Sequence, residues 1–152
     1  MPSQFLQRQK NDLIRDVTTL GSLFFYFILM IIFLISGNYE MFNKLLIGLA
    51  IIYPITIMFR TFMFKNRPKK IKYDSYIGKL DAASFPSLHA SRTGFLAIFL
   101  INYFHKLPIT LVFGIIALGV LYSRIYLRKH DFKDVIAGVI LGALAYFVVV
   151  SV

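Results

Sequence analysis

The sequence predicts an all-α membrane protein, a polytopic bundle of about five transmembrane helices preceded by an interfacial amphipathic helix. Of its 152 residues, 58% are apolar and only 16% are charged, and the mean hydropathy is +0.70. Soluble domains do not have this balance. The apolar residues form five uncharged runs, at 17–39, 45–59, 93–104, 107–123 and 135–152. A helix needs about 20 mainly apolar residues to cross a bilayer core, so the second and third runs must borrow flanking turns.

These spans use most of the chain. We therefore expect one membrane-embedded domain over 1–152, with the interfacial helix at 1–19 and the bundle at 20–152. The first run has no small-residue cleavage site after it, so it predicts a retained helix and not a signal peptide. Cysteine is absent, which excludes disulfides and thiolate metal sites.

The amino-terminal segment has the pattern of an amphipathic helix. Leu6, Leu13, Val17 and Leu20 recur at helical spacing, and charged residues cover much of the remaining surface. Such a helix lies in the membrane interface and leads into the first span. That span is expected to stop at the Ser-Gly-Asn cluster at 36–38.

The basic residues follow a membrane topology. The formal net charge is +10, but lysine and arginine alternate with the apolar runs and form no continuous face, so no nucleic-acid partner is expected. With five spans, fifteen of the seventeen lie on one side, all except Lys44 and Lys106. The positive-inside rule makes that side cytoplasmic. We expect a multi-pass protein whose polar clusters face the cytoplasm.

The first polar cluster follows the second apolar run. Arg60 and Arg67 are seven residues apart, about two helical turns, so both guanidiniums can point to one side. Their planar, forked donors suit phosphate oxygens. An arginine near a helix end also snorkels to the surface with no binding role, so this pair alone leaves both interpretations open.

The second polar cluster begins the third span. Ser84 is expected to cap the helix and Pro86 to lie in its first turn. The backbone N–H groups of residues 87–89 would then form a cradle for an anion. Arg92 follows His89 by three residues and shares its helix face.

The third polar cluster joins the last two spans. Ser123 and Arg124 end one apolar run, and His130 and Asp134 precede the next. In a helix, four-residue spacing puts His130 and Asp134 within hydrogen-bond reach. A carboxylate there fixes the histidine tautomer and makes the other ring nitrogen a better nucleophile or base. A positive-inside loop with one histidine explains this short pattern equally well.

The last apolar run also carries a packing signal. Gly138 and Gly142 form a small-x-x-x-small pair. Such pairs permit close approach of two membrane helices, so we expect a structural role for both glycines.

Together, the three clusters resemble the type 2 phosphatidic acid phosphatase superfamily of membrane lipid phosphatases, which is related to glucose-6-phosphatase and vanadium haloperoxidases. The family pattern is lysine, six residues, Arg-Pro; then Pro-Ser-Gly-His; then Ser-Arg, five residues, His, three residues, Asp. The corresponding residues here, in the same order and spacing, are Arg60, Arg67, Pro68, Pro86, Ser87, Leu88, His89, Ser123, Arg124, His130 and Asp134.

Two positions depart from the family pattern. Arg60 replaces the lysine, which preserves charge but not shape, and Leu88 replaces the glycine. The family glycine is thought to offer a backbone N–H to phosphate, which a leucine in a first helical turn can also do. The Leu88 side chain would then point toward neighbouring helices or toward the lipid chain. The family usually has six spans, so this chain looks like a version without one leading helix.

The resemblance implies a metal-free phosphoryl transfer without a cofactor. His130, held by Asp134, would attack phosphorus and form a phosphohistidine; His89 would protonate the leaving oxygen, and water would then release phosphate. The charge on the equatorial oxygens would be neutralised by Arg60, Arg67, Ser87, the Leu88 backbone and Arg124, with Ser123 and Arg92 as further candidates.

The expected partner is a membrane lipid substrate. An arginine three residues after His89 resembles the branch that acts on polyisoprenoid diphosphates, so a polyisoprenyl (di)phosphate is the favoured substrate. Phosphatidic acid or a phosphatidylglycerol phosphate is the alternative. A non-enzymatic membrane scaffold or transporter subunit would explain the spans and charges, but not three polar clusters on one side.

Overall fold

The computed structural model describes residues 2–151, and seven α-helices within this range build the fold. In chain order the helices are α1 Pro2–Thr19, α2 Leu23–Ile35, α3 Tyr39–Phe62, α4 Tyr76–Ala82, α5 Leu88–Phe104, α6 Leu107–Tyr126 and α7 Phe132–Ser151. Met1 and Val152, the two ends of the predicted domain, lie outside the described residues. The prediction of an all-α membrane bundle is confirmed.

The five predicted apolar runs correspond to α2, α3, α5, α6 and α7. Helices α3, α6 and α7 are long and apolar enough to cross a membrane. Helices α1 and α2 qualify only as a pair, bent by 44° at the break between them. Helix α5 has 17 residues, fewer than the typical length of about 20 for a membrane-spanning helix. Length and composition therefore identify three spans in the described chain, or four with the bent pair, where the sequence predicted about five.

The predicted run at 17–39 is interrupted near its start. Helix α1 ends at Thr19, and Ser22 caps α2 by accepting a hydrogen bond from the Phe25 N–H at 3.1 Å. One face of α1 packs along α6, where the Tyr126 hydroxyl donates to Asn11 Oδ1 at 3.2 Å. Much of the apolar surface of α1, at Phe5, Leu6 and Leu13, stays exposed.

Helix α5 lies at the centre of the bundle and packs most closely on α7. Gly142 makes this approach feasible, because a Cβ there would lie 2.8 Å from the Phe95 backbone nitrogen and closer still to the Ser91 carbonyl oxygen. A Cβ at Gly138 would lie 2.5 Å from the Ser87 carbonyl oxygen. The glycine pair therefore has the packing role that its spacing predicted.

The two ends of the bundle differ in chemistry. At one end, α2 stops at Ser36, Gly37 adopts φ 73°, and Asn38 caps α3 by accepting from the Met41 N–H at 3.2 Å, as the stop cluster predicted. At the other end, the carboxyl ends of α3 and α6 meet the amino ends of α5 and α7 and the α1–α2 break. All three polar clusters lie at that second end.

Candidate active site

Most of the predicted site residues are buried together where these helix ends meet. Buried polar and charged residues at this end are Arg60, Ser84, Ser87, Ser91, Arg92, Ser123, Arg124, His130 and Asp134. Burying so many ionisable groups among apolar helices is costly unless they are paired or bind a charged ligand. Their hydrogen bonds therefore separate the groups that hold the fold from those that remain free for a ligand.

Two of the arginines are fixed by backbone and hydroxyl oxygens. Arg60, in the last turn of α3, donates from Nη1 to the Leu80 carbonyl at 2.9 Å and from Nη2 to the Pro86 carbonyl at 3.2 Å. Arg124, in the last turn of α6, donates from Nη1 to Thr18 Oγ1 at 3.1 Å. Each guanidinium thus has a set position before any ligand arrives.

Arg67 reaches the same region by a different route from the one predicted. Helix α3 ends at Phe62, so the two-turn helical spacing does not apply, and Arg67 is held from a loop by Asp81 at 3.2 Å. The Nε–H groups of Arg60, Arg67 and Arg124 are all buried and have no acceptor within the described residues. Three orphaned cationic donors at one helix-bundle end indicate an anion site.

The start of α5 differs from the prediction by three residues. The N-cap is Ser87, whose Oγ accepts from the Ala90 N–H at 3.4 Å, and not Ser84. Ser84 instead donates its hydroxyl to the Asn66 carbonyl at 3.2 Å, which ties it to the α3–α4 connection. Pro86 therefore precedes the helix and does not lie in its first turn.

The predicted backbone cradle is smaller than expected. The Ser87 N–H donates to the Asp134 carbonyl at 3.0 Å, so it is occupied. Leu88 and His89 are the first two helical residues, whose N–H groups have no intrahelical acceptor, and both remain available to an anion. The Leu88 side chain packs against the hydrophobic core, toward the neighbouring helices.

His130 is not held by Asp134 as the spacing suggested. Its Nδ1 donates to the Ser84 carbonyl at 2.8 Å, whereas the nearest Asp134 oxygen is 3.9 Å away, too far for a hydrogen bond. The reason is that α7 begins at Phe132. His130 precedes the helix, so the i, i+4 geometry that would join the two side chains does not apply.

Asp134 is paired with a lysine that the sequence analysis missed. Lys65 Nζ lies 2.6 Å from Asp134 Oδ1 and 2.5 Å from Asp131 Oδ2. Burial lowers the pKa of Lys65, but its hydrogen bonds to both carboxylates outweigh this and raise the pKa above its ordinary value. Lys65 lies in the six-residue spacer between Arg60 and Arg67, where the motif specifies no residue type, so the motifs did not identify it.

The protonation state of His130 suits nucleophilic attack. Burial lowers its pKa to about 3, and the positive charge of Arg124 acts in the same direction. At neutral pH the ring is therefore uncharged. Because a carbonyl oxygen only accepts, the bond to Ser84 puts the single ring proton on Nδ1. Nε2 then carries a free lone pair, which is what an attack on phosphorus requires.

Arg92 is bound differently from the other arginines. Its Nε and Nη2 donate to the Gly21 carbonyl at 3.2 and 3.1 Å, and its Nη1 donates to the Tyr53 hydroxyl at 2.7 Å. Nη2 also lies 3.3 Å from His89 Nδ1. Through these contacts, Arg92 connects His89 to the α1–α2 break.

Ser123 and Thr18 connect the same break to α6. Ser123 Oγ lies 2.8 Å from Thr18 Oγ1 and 2.6 Å from the Val120 carbonyl. The serine therefore supports Thr18, which in turn accepts from Arg124. Sequence reasoning identified the α1–α2 break only as the start of a span, because Thr18 and Gly21 belong to none of the three polar motifs.

The acidic residues of this region do not gather into a metal-binding set. Within residues 2–151, no group of three or more histidine, cysteine, aspartate or glutamate side chains comes together. Asp131 and Asp134 share Lys65, and the carboxylate of each accepts a hydrogen bond from the other's backbone N–H, at 3.0 and 3.1 Å.

Comparison with known proteins agrees with this architecture. Residues 42–152 match the model of the PAP2 superfamily. The crystal structure of Aquifex aeolicus LpxE superposes with a TM-score of 0.77 at 20% identity, over 95% of this chain and 87% of that one. The first transmembrane PAP2-type phosphatidylglycerolphosphate phosphatase from Bacillus subtilis gives 0.74 at 25% identity, over 94% and 76%. Thr18 and Gly21 lie outside the segment that the family model matches.

Proposed function

Because the chain belongs to the PAP2 superfamily, we propose that it is an integral-membrane lipid phosphatase that uses His130 as its nucleophile. The observation that carries the proposal is the set of three buried, unpartnered Nε–H groups on Arg60, Arg67 and Arg124, at the bundle end that holds a neutral histidine. A phosphate group satisfies these donors, and phosphoryl transfer depends mainly on such positioning and charge stabilisation.

The proposed reaction has two steps. His130 Nε2 attacks the phosphorus in line, the bond to the leaving oxygen breaks as that oxygen takes a proton from His89, and a phosphohistidine forms. The Nδ1–H stays on the Ser84 carbonyl throughout. Water then attacks the phosphorus and returns a proton to His89, the P–N bond breaks, and inorganic phosphate leaves. The arginines and the free N–H groups of Leu88 and His89 stabilise the charge on the equatorial oxygens.

An apolar cavity supports a lipid substrate. It has a volume of about 390 Å³ and lies between α3 and α7, and Phe85 and Pro86 are part of its wall. The Pro86 carbonyl accepts a hydrogen bond from Arg60, so this cavity borders the anion site directly. A lipid whose phosphate is bound at the anion site could place its hydrocarbon chain against the apolar wall of this cavity. Leu88 does not line this cavity.

We favour a polyisoprenyl phosphate or diphosphate, hydrolysed without a metal ion. The alternative is a phosphatidylglycerol phosphate or phosphatidic acid, which the likeness to the Bacillus subtilis phosphatidylglycerolphosphate phosphatase supports. Purified protein in detergent is expected to release phosphate from an isoprenyl diphosphate faster than from either glycerophospholipid, with unchanged rates in EDTA. Loss of activity in EDTA that a divalent ion restores would contradict the metal-free mechanism. Release from the glycerophospholipids alone would select the alternative.

The active site is proposed to face the cytoplasm, because fifteen of the seventeen basic residues accompany its end of the bundle in the five-span arrangement. The chain has no native cysteine, so single-cysteine labelling is unambiguous. Lys70→Cys and Lys106→Cys are a matched pair of exposed lysines near opposite ends of the bundle. In intact cells, an impermeant maleimide should label Lys106→Cys and not Lys70→Cys. The reverse pattern would place the active site outside.

A further inference from the structure

The guanidinium of Arg124 is held by a single hydrogen bond within residues 2–151. Its Nη1 donates to Thr18 Oγ1 at 3.1 Å, and its buried Nε–H has no acceptor there. Arg60, by comparison, donates to two backbone carbonyls, those of Leu80 and Pro86. Because a guanidinium is rigid and planar, fixing Nη1 also restricts the direction of the Nε–H group. The placement of Arg124 in the anion site therefore depends on one threonine hydroxyl.

A hydroxyl has a specific advantage as the partner of a phosphate-binding arginine. It accepts the Nη1–H through an uncharged oxygen, so the positive charge of Arg124 stays available to a ligand. A carboxylate in the same place would neutralise that charge and compete with the phosphate. Thr18 therefore orients Arg124 without weakening its attraction for an anion.

Thr18 is itself fixed by contacts with α6 and with the α1–α2 break. Ser123 Oγ lies 2.8 Å from Thr18 Oγ1, and the Thr18 carbonyl accepts a hydrogen bond from the Gly21 N–H at 3.2 Å. The preceding residue, Val17, lies close to α6, since a Cβ at Gly119 would be 3.3 Å from its Cγ1. The last turn of α1 is thus packed on the helix that carries the arginine.

We propose that Thr18 is a positioning residue that orients the Arg124 guanidinium toward the substrate phosphate, so that the α1–α2 break completes the active site from outside the three polar motifs. This inference rests on the proposed phosphatase function and deepens it. Thr18 also precedes the residues that match the family model. Charge stabilisation in phosphoryl transfer depends on donors that are in place beforehand, so a misdirected guanidinium slows the reaction even when both histidines are intact.

Two substitutions separate the hydroxyl of Thr18 from its packing. Thr18→Val keeps the branched shape and removes the acceptor, whereas Thr18→Ser keeps the acceptor and removes the methyl group. On the lipid phosphate that the wild type hydrolyses fastest, Thr18→Val should lower kcat/KM by about tenfold or more. Thr18→Ser should retain most of the wild-type value. Orthovanadate occupies the same anion site in this proposal, so it should inhibit Thr18→Val more weakly by a similar factor.

A packing role for Thr18 predicts the opposite order, in which Thr18→Ser loses activity and Thr18→Val keeps it. That order would overturn the proposal, and so would wild-type kinetics in folded Thr18→Val or equal losses in the two variants. Circular dichroism shows whether each variant is folded. If Thr18→Val does not fold, Thr18→Ala, which also lacks the hydroxyl, takes its place and should show the loss that Thr18→Ser avoids.

Thr19→Val is the matched control. Thr19 is the next residue and is exposed, and its hydroxyl donates to the Asp16 carbonyl within α1, so its activity and vanadate inhibition should equal those of the wild type. An equal loss in Thr19→Val would show that any disturbance of this turn suffices and would overturn the role of the Thr18 hydroxyl. Active wild type with an insensitive Thr18→Val overturns this inference alone, whereas release of phosphate from no lipid phosphate overturns the proposed function.

Discussion

His130→Ala is expected to reduce phosphate release by about 10³-fold or more, because no other group in the site replaces the attacking Nε2. The variant should still bind orthovanadate or inorganic phosphate, since the three arginine Nε–H donors remain. The measurement is single-turnover hydrolysis of a ³²P-labelled isoprenyl diphosphate, with alkaline trapping of the phosphohistidine.

His105→Ala is the matched control for this experiment. His105 ends α5 at the opposite end of the bundle and is exposed, so its removal should leave the rate and the trapped intermediate unchanged. The nucleophile assignment would be wrong if His130→Ala still formed the labelled intermediate. It would also be wrong if His105→Ala lost the intermediate while remaining folded.

Gly142→Ala is expected to destabilise the bundle by about 3 kcal/mol, the upper end of the usual range for overpacking a core. The added methyl group would meet the backbone of α5 at Ser91 and Phe95, and backbone atoms cannot move aside without separating α5 from α7. Activity should fall as well, since α5 carries His89 and the segment before α7 carries His130. Thermal unfolding in detergent, followed by circular dichroism, measures the stability change.

The control for Gly142 is Gly114→Ala in α6. A Cβ at Gly114 meets nothing within 4 Å, so this variant should be as stable as the wild type or more stable, because alanine favours helix. Equal melting temperatures for Gly142→Ala and the wild type would mean that the backbones of α5 and α7 are not in close contact at Gly142.

Positive charge is concentrated at the bundle end that holds the candidate site, although the helices there are mainly apolar. Arg60, Arg67 and Arg124 each have a buried Nε–H without an acceptor in the described residues, whereas all three guanidinium nitrogens of Arg92 make hydrogen bonds. On this difference we propose that the first three arginines bind an anion and that the fourth holds His89. Lys65 complements the arrangement by neutralising Asp131 and Asp134, so those carboxylates do not repel a phosphate.

The sequence by itself determined the fold class and pointed to most residues of the candidate site. Long apolar runs can satisfy their backbone in a bilayer only as helices, and the three spaced motifs include the two histidines and the three arginines whose Nε–H groups lack an acceptor. The glycine spacing at 138 and 142 likewise predicted close packing, because helical periodicity is a local property that the sequence carries.

Only the tertiary structure decided which groups hold His130 and His89. The spacing suggested Asp134 for His130, but α7 begins two residues after the histidine, and the acceptor is the Ser84 carbonyl. Backbone carbonyls have no sequence signature, and Lys65 and Gly21 lie 69 and 71 residues from the partners they bind. Such contacts depend on where helix ends meet in space, a property set by packing of the whole bundle and not by local spacing.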